Sequence, residues 1–361
     1  MKSAIPNVRQ ILSLHATDLC RAREALEAPS GALLAGAGQY ARGVAQYLAT
    51  RGPGARAVAD NSPLRHGTRL LDAPIVPFEQ LPESVHPVLV AARRVFPALR
   101  DQLAALGRSA LPFDAGFVAL ESERILALAD RLDDDRSREV LDAVVLAMVT
   151  GREEVCAQVC DDPQYFCLSR FRNGFQESFV DAGAYVGDTI ERFLWAQNGS
   201  FRNILAFEPG PVQHAALLRR LERLRSEWAL PDESVEVRLG ALGERDGSLG
   251  AGFSSGPLQS LAADSIGEGS VRCWSLDSIE TRSPATFLKA DVEGMELEVL
   301  AGAARTIARH APKLAVCVYH KPQHLVEVAE AILRIRPDYQ LALRQHAPLL
   351  METVLYAWIE T

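Results

Sequence analysis

Asp181 and Glu208 lie 27 residues apart, each closing an apolar run, Ser178-Phe-Val-Asp181 and Ile204-Leu-Ala-Phe-Glu208. Between them Asp181-Ala-Gly-Ala-Tyr-Val-Gly187 reads as a glycine-rich turn. It leads into a helix from about Asp188, whose Ile190, Phe193 and Leu194 form an apolar face. Such a turn brings backbone N–H groups and a helix N-terminus close to a ligand. An acidic residue closing the second strand of a βαβ unit can accept hydrogen bonds from ribose hydroxyls. The two signals together predict a site for an adenosine-bearing cofactor, built from Asp181, Ala182, Gly183, Ala184, Tyr185, Gly187, Asp188, Thr189, Glu208 and Pro209. Ala241 and Leu242, just after the next strand, either flank the adenine or form an ordinary strand-to-loop turn. A second group, Asp291, Glu293 and His320, offers carboxylates and an imidazole for acid–base work.

The elements that must position these residues alternate strand and helix. Strands are expected near 177–181, 203–208, 235–239, 286–291 and 313–319, with a final antiparallel pair at 339–344 and 353–359. The helix from Met295 buries Leu297, Leu300, Ala301 and Ala304 on one face. Crossover helices of this kind imply a parallel sheet covered on both faces, with ligands gathering at the carboxyl ends of its strands.

Three segments resemble the signatures of FkbM-type methyltransferases: Phe179-Val-Asp-Ala-Gly-Ala-Tyr-Val-Gly-Asp-Thr189, Phe207-Glu-Pro209 and Leu288-Lys-Ala-Asp-Val-Glu-Gly-Met-Glu-Leu-Glu-Val-Leu-Ala-Gly302. They fall in order within the last half of the chain, and the trio is far more specific than any one member. The resemblance implies a seven-stranded, Rossmann-like methyltransferase domain ending in a hairpin. It also implies S-adenosyl-L-methionine (SAM) as cofactor and a hydroxyl of a small sugar, glycan-linked or polyketide-type acceptor as the methylated group. One departure is Val186, where many relatives carry an acidic or polar residue.

Methyl transfer from a sulfonium needs an oriented nucleophile and, for a hydroxyl, a group to take its proton. His320 follows the apolar run Ala315-Val-Cys-Val-Tyr319, and histidine is the side-chain type suited to that task; its alternative role is structural. Asp291 and Glu293, at i and i+2, point the same way if the strand continues through them. They could position the acceptor, act as base or hold a divalent cation, and positioning is preferred over metal. Alternatively, Glu293 caps the next helix and Lys289 pairs with a carboxylate. His324 is a weaker candidate, and Lys321 and Arg344 either bind an anionic part of the acceptor or are surface charges.

The N-terminal part reads as a smaller Rossmann-like α/β domain over 1–118, joined by a helical connector, 119–176, to the methyltransferase domain, 177–361. Strands are expected at 31–35, 56–60 and 88–92. Gly36-x-Gly38-x-x-Ala41 with Asp60, 24 residues after Gly36, fits a dinucleotide fingerprint. A tight first turn needs small residues whether or not anything binds, so a structural or recognition role is preferred. The open alternatives are an NAD(P)-linked or nucleotide-sugar enzyme centred there, and a noncatalytic scaffold. The charged run at 130–137 is expected to be a solvated face, and the aromatics of Asp162-Pro-Gln-Tyr-Phe166 either close over the cofactor or pack on the first helix.

A net charge of −8 argues against a partner bound through nucleic-acid phosphates. No apolar run reaches membrane-spanning length, and the first residues lack the apolar core of a secretory signal. Six scattered cysteines form no zinc pattern and read as reduced thiols, so a cytoplasmic protein without a membrane partner is expected. The glycine- and serine-rich stretch from Gly243 to Ser275 is the expected source of the acceptor pocket.

Overall fold

The structure is a computed structural model that describes residues 5–252, 260–261 and 270–360. The chain divides into two compact units. The first comprises residues up to Cys160 with Tyr319–Val326 and Leu343–Thr353; the second comprises Asp161–Val318, Glu327–Ala342 and Val354–Thr361.

The first unit opens with helices α1 (Val8–Leu14) and α2 (Ala16–Leu26). Its strands are β1 (Ala32–Ala35), β2 (Ala55–Ala59), β3 (Arg69–Leu70), β4 (Ala73–Val76), β5 (Val88–Val90) and β6 (Ala110–Pro112). Helix α3 (Gln39–Ala49) follows β1, α4 (Phe96–Ala105) follows β5, and α5 (Phe113–Leu120), α6 (Ser122–Arg131) and α7 (Asp135–Thr150) follow β6. The sheet order is β3-β4-β2-β1-β5-β6, with β1 parallel to both β2 and β5. The order therefore reverses between β1 and β5, where doubly wound sheets open a crevice. Asp134 caps α7 by accepting from the Ser137 N–H at 2.7 Å, and Gly151 ends the helix at φ +68°.

Part of the charged run at 130–137 is thus not a solvated face. Ser137 is fully buried and Asp134 pairs with Arg344 at 2.7 Å. Arg344, one of the candidates for an anion-binding or surface charge, is buried and also donates to the Ser137 hydroxyl.

The second unit holds β7 (Ser178–Ala182), α8 (Asp188–Ala196), β8 (Asn203–Glu208), α9 (Pro211–Trp228) and β9 (Val235–Leu239). A small sheet follows, of β10 (Ala241–Leu242), β11 (Gly247–Gly252), β12 (Ser260–Leu261) and β13 (Ser270–Trp274). The chain then forms β14 (Phe287–Ala290), α10 (Glu296–Gly302), α11 (Ala304–His310), β15 (Lys313–Cys317), α12 (His324–Ile335), β16 (Gln340–Gln345) and β17 (Thr353–Trp358). The main sheet has seven strands in the order β16-β17-β15-β14-β7-β8-β9, with β17 antiparallel to β15. Strands β7, β14 and β17 are buried along their whole length, as expected for strands covered on both faces.

Aromatic side chains knit this sheet to its covering layer. Phe179 stacks on Phe193 of α8 at 4.5 Å and tilts against Phe287 at 4.9 Å. Phe166 packs edge-on against Phe287 at 6.0 Å and lies 6.2 Å from Phe193, so it belongs to the core and packs on α8, the first helix after β7. The decisive feature is strand order: β7 has β8 on one side and β14 on the other, both parallel to it. The carboxyl ends of β7 and β14 flank the topological switch point of the sheet.

Candidate functional site

Strand β7 delivers Asp181 and Ala182 to the switch point, and the chain then turns through Gly183 at φ +83°. A Cβ there would lie 1.9 Å from the Asp291 carbonyl oxygen, so the two neighbouring strand ends approach as closely as only glycine permits. The turn is tied to β8: Gly183 and Ala184 both donate to the Phe207 carbonyl, at 3.0 and 2.9 Å. Tyr185, at φ +47° and 43% exposed, forms the tip, and Gly187 at φ +80° redirects the chain into α8. Asp188 and Thr189 begin that helix.

Glu208 ends β8 beside this turn. One carboxylate oxygen accepts from the Tyr185 N–H at 2.8 Å and the other from the Gly210 N–H at 2.7 Å. Burial pushes its pKa up to about 7, against these two hydrogen bonds. Each oxygen keeps a lone pair, so the group can still accept from a diol. Gly240, just ahead of Ala241 and Leu242, donates its N–H to the Glu208 carbonyl at 3.0 Å. That bond brings the 240–242 strand end alongside the carboxylate, with Ala241 and Leu242 buried. Pro209 lies between Glu208 and the Gly210 N–H that the carboxylate holds.

Asp181 is fully buried. In the parallel register it stands opposite Lys289 of β14, whose Nζ lies 3.0 Å from its carboxylate. Burial works against the lysine charge, but Asp181 and Asp291 hold its pKa above the ordinary range. Lys289 is therefore paired with a carboxylate, as in the alternative reading of the sequence. Asp291 lies one residue beyond β14; its N–H donates to the Ala182 carbonyl at 3.1 Å and its carboxylate accepts from the Tyr165 hydroxyl at 2.8 Å.

Strand β14 stops at Ala290, so the expected i, i+2 alternation of Asp291 and Glu293 does not hold. Residues 291–295 turn instead, with Glu293 at φ +55° and Gly294 at φ +100°. The side chain that organises this turn is Glu296, which accepts from the Val292 and Gly294 N–H groups at 3.1 and 3.3 Å.

Asp181, the 183–187 turn, Glu208, Pro209, Ala241, Leu242 and Asp291 thus cluster around the carboxyl ends of β7, β8 and β14. His320 follows β15 by three residues, in the segment that belongs to the first unit. Its ring lies on Tyr319 at 4.1 Å, and the Tyr319 carbonyl accepts from Arg93 at 2.9 Å. His324 is fully buried at the start of α12. Sequence reasoning passed over Glu296 and left Tyr165 ambiguous. The available signal for Glu296 was a third acid within Asp291-Val-Glu-Gly-Met-Glu296, too many to place on a glycine turn without purpose.

A scan against family models matches residues 181–340 to the "Methyltransferase FkbM domain". Residues 181–340 are an FkbM methyltransferase domain. Among solved structures, the crystal structure of Methyltransferase FkbM from Methylobacillus flagellatus KT is 23% identical with a TM-score of 0.61. The match covers 97% of this chain and 98% of that one, so the two share a fold throughout. A putative rRNA-methylase from Clostridium thermocellum is 8% identical with a TM-score of 0.35, covering 53% of this chain and 93% of that one. Aeropyrum pernix fibrillarin in complex with natively bound S-adenosyl-L-methionine is 11% identical with a TM-score of 0.32, over 51% of this chain and 67% of that one. No curated protein matches the chain.

The glycine turn of the FkbM domain yields a direct prediction. Gly183→Ala forces an alanine into the left-handed region and against the Asp291 carbonyl, at a cost of at least about 1–3 kcal/mol. Chemical denaturation is expected to show that loss, and an unchanged midpoint would contradict the close approach of the two strand ends.

The first unit carries a similar local device at its Gly36 turn. Asp60 accepts from the Ala37 N–H in the Gly36 turn at 2.8 Å and from Ser62 at 2.8 Å. Arg65 also donates to the Ala37 carbonyl, at 2.7 Å. Beside the β1/β5 switch point, Arg93 donates to both Asp114 oxygens, at 2.8 and 3.0 Å, and to the Tyr40 hydroxyl at 2.9 Å.

Proposed function

We propose that the chain is a SAM-dependent O-methyltransferase acting on a small hydroxylated acceptor, a sugar, glycan-linked or polyketide-type metabolite. The observation that carries the cofactor reading is Glu208, held at the end of β8 against the 183–187 turn with acceptor capacity to spare. The fit is chemical: a ribose diol donates to a carboxylate that keeps lone pairs free for it. Glu208 would hold the ribose, the 183–189 turn the amino-acid portion, and Ala241 and Leu242 the adenine side. The bound cofactor supplies an activated methyl group.

The chain's residues then orient the acceptor and move its proton. Asp291, fixed by the Tyr165 hydroxyl, orients the acceptor hydroxyl, with Glu293 on the same turn as its partner. His320 takes the proton, an assignment that rests on its place after β15, the strand hydrogen-bonded to β14. No divalent metal is assigned to the reaction. Of the 243–275 stretch expected to form the acceptor pocket, residues 253–259 and 262–269 lie outside the described residues.

The partners proposed are small molecules rather than nucleic acid or membrane, in keeping with the net charge of −8. Among the described residues no helix is long and apolar enough to cross a membrane. Among the described residues the cysteines form no disulfide, which suits a reducing cytoplasm. The reaction is tested by incubating the protein with SAM and a panel of hydroxylated acceptors, reading products by mass spectrometry. A gain of one methyl on an acceptor oxygen supports the reading, whereas methylation confined to nitrogen or carbon refutes it.

In this reading the first unit does not bind a catalytic nicotinamide cofactor. Gly38 has open space where a side chain would go, so Gly38→Trp is compatible with the fold. The expected result is no saturable NAD(P)H binding by either protein. Tight binding by the parent chain that is lost in Gly38→Trp would overturn this assignment.

A further inference from the structure

Asp181 carries the acidic position of the first signature, yet its surroundings give it another task. Its carboxylate is inaccessible, enclosed at the centre of the sheet with Lys289, which is 1% exposed. The Lys289 ammonium donates to the Gly183 carbonyl at 2.6 Å and the Ala182 carbonyl at 3.3 Å, and forms an ion pair with Asp181 Oδ1 at 3.0 Å. Tyr165 lies over the same cation, its ring centroid 5.4 Å from Nζ, while its hydroxyl serves Asp291. The shortest of these bonds is the one to Gly183, the residue at which the turn departs from β7.

We propose that Lys289 is the positioning residue of the cofactor turn and that Asp181 is its counter-ion rather than a cofactor ligand. By drawing the Gly183 carbonyl inward, Lys289 fixes the peptide plane that carries the Ala184 N–H and precedes the one carrying the Tyr185 N–H. Those two groups reach Phe207 and Glu208, so the lysine sets the distance between turn and ribose carboxylate. Asp181 makes a buried ammonium tolerable; an unpaired charge there would be strongly destabilising. The rival role is a direct bond to the cofactor from the Asp181 carboxylate, neither oxygen of which has a hydrogen-bond partner among the described residues.

This inference rests on the SAM reading above, and the test separates the two. S-adenosylhomocysteine binding is measured by calorimetry, and thermal stability in parallel, for the parent, Asp181→Asn, Lys289→Met and the double variant. Lys289→Met is expected to weaken binding about 10–100-fold, the loss of a hydrogen bond from a charged donor, and to melt early. The double variant, with neither charge of the pair left, is expected to regain most of the melting temperature but not the affinity. Asp181→Asn keeps the tie to Gly183 and is expected to stay within about threefold of the parent in affinity.

Recovery of affinity in the double variant would overturn the positioning role, because charge balance alone would then account for the effect. A tenfold or greater loss in folded Asp181→Asn would restore Asp181 as a direct ligand. Parent protein that binds while Lys289→Met binds equally well overturns the inference alone. Parent protein that does not bind at all overturns the cofactor reading and this inference with it.

Discussion

Replacing His320 with alanine is expected to slow methyl transfer about 10²–10⁴-fold, the usual cost of removing a general base. The assignment follows from chain position. His320 lies three residues beyond β15, the parallel neighbour of β14, and an imidazole titrates where a hydroxyl proton must be taken near neutrality. Cofactor affinity is expected to stay nearly intact, because none of the groups that hold the turn or Glu208 is altered. The measurement is single-turnover methylation alongside calorimetric binding. Near-normal turnover would refute the base assignment. Strong inhibition by chelators, reversed by a divalent ion, would move the chemistry to a metal.

Glu208→Ala is the second large effect, and it falls on binding. The variant loses the ribose acceptor and leaves the Tyr185 and Gly210 N–H groups without their partner, about 1–3 kcal/mol. That corresponds to roughly 5–150-fold in the dissociation constant for SAM. Unchanged affinity in a folded variant would reject the site. The same residue gives a pH signature. Its folded pKa is raised to about 7 by burial, so its contribution to stability is fully present below about pH 4.5 and is lost as pH rises through about 7. Cofactor binding runs the other way, because ionised Glu208 is the better acceptor for ribose hydroxyls. Affinity is therefore expected to rise with pH through about 7, and Glu208→Gln is expected to flatten that dependence.

The strands and turns that build the cofactor side were legible because each is a local statement. Ser178–Ala182 and Asn203–Glu208 are apolar runs closed by an acid, and Gly183 and Gly187 mark the turn directly. Partnerships that depend on distant segments were not legible. Arg344 looks like any surface arginine until Asp134, 210 residues away, is brought against it. Lys289 becomes the partner of Asp181 only through the β7/β14 register, which hydrophobic patterning does not specify.

Asp291 and Glu293 show a different limit. Period-2 reasoning holds only while a strand continues, and here the backbone leaves the sheet at Ala290 and passes through two left-handed residues. The glycine at 294 signalled a turn, but not that Glu296 would collect its N–H groups. Tyr165 could be read as core or as lid. The fold splits the motif, sending Phe166 into the core and the Tyr165 hydroxyl to Asp291.

The most direct test of the whole account is calorimetric titration of the purified chain with SAM and, separately, with NAD(P)H. The account predicts saturable one-site binding of SAM, weakened in Glu208→Ala, and no saturable binding of NAD(P)H. Saturable NAD(P)H binding with no heat from SAM would contradict it.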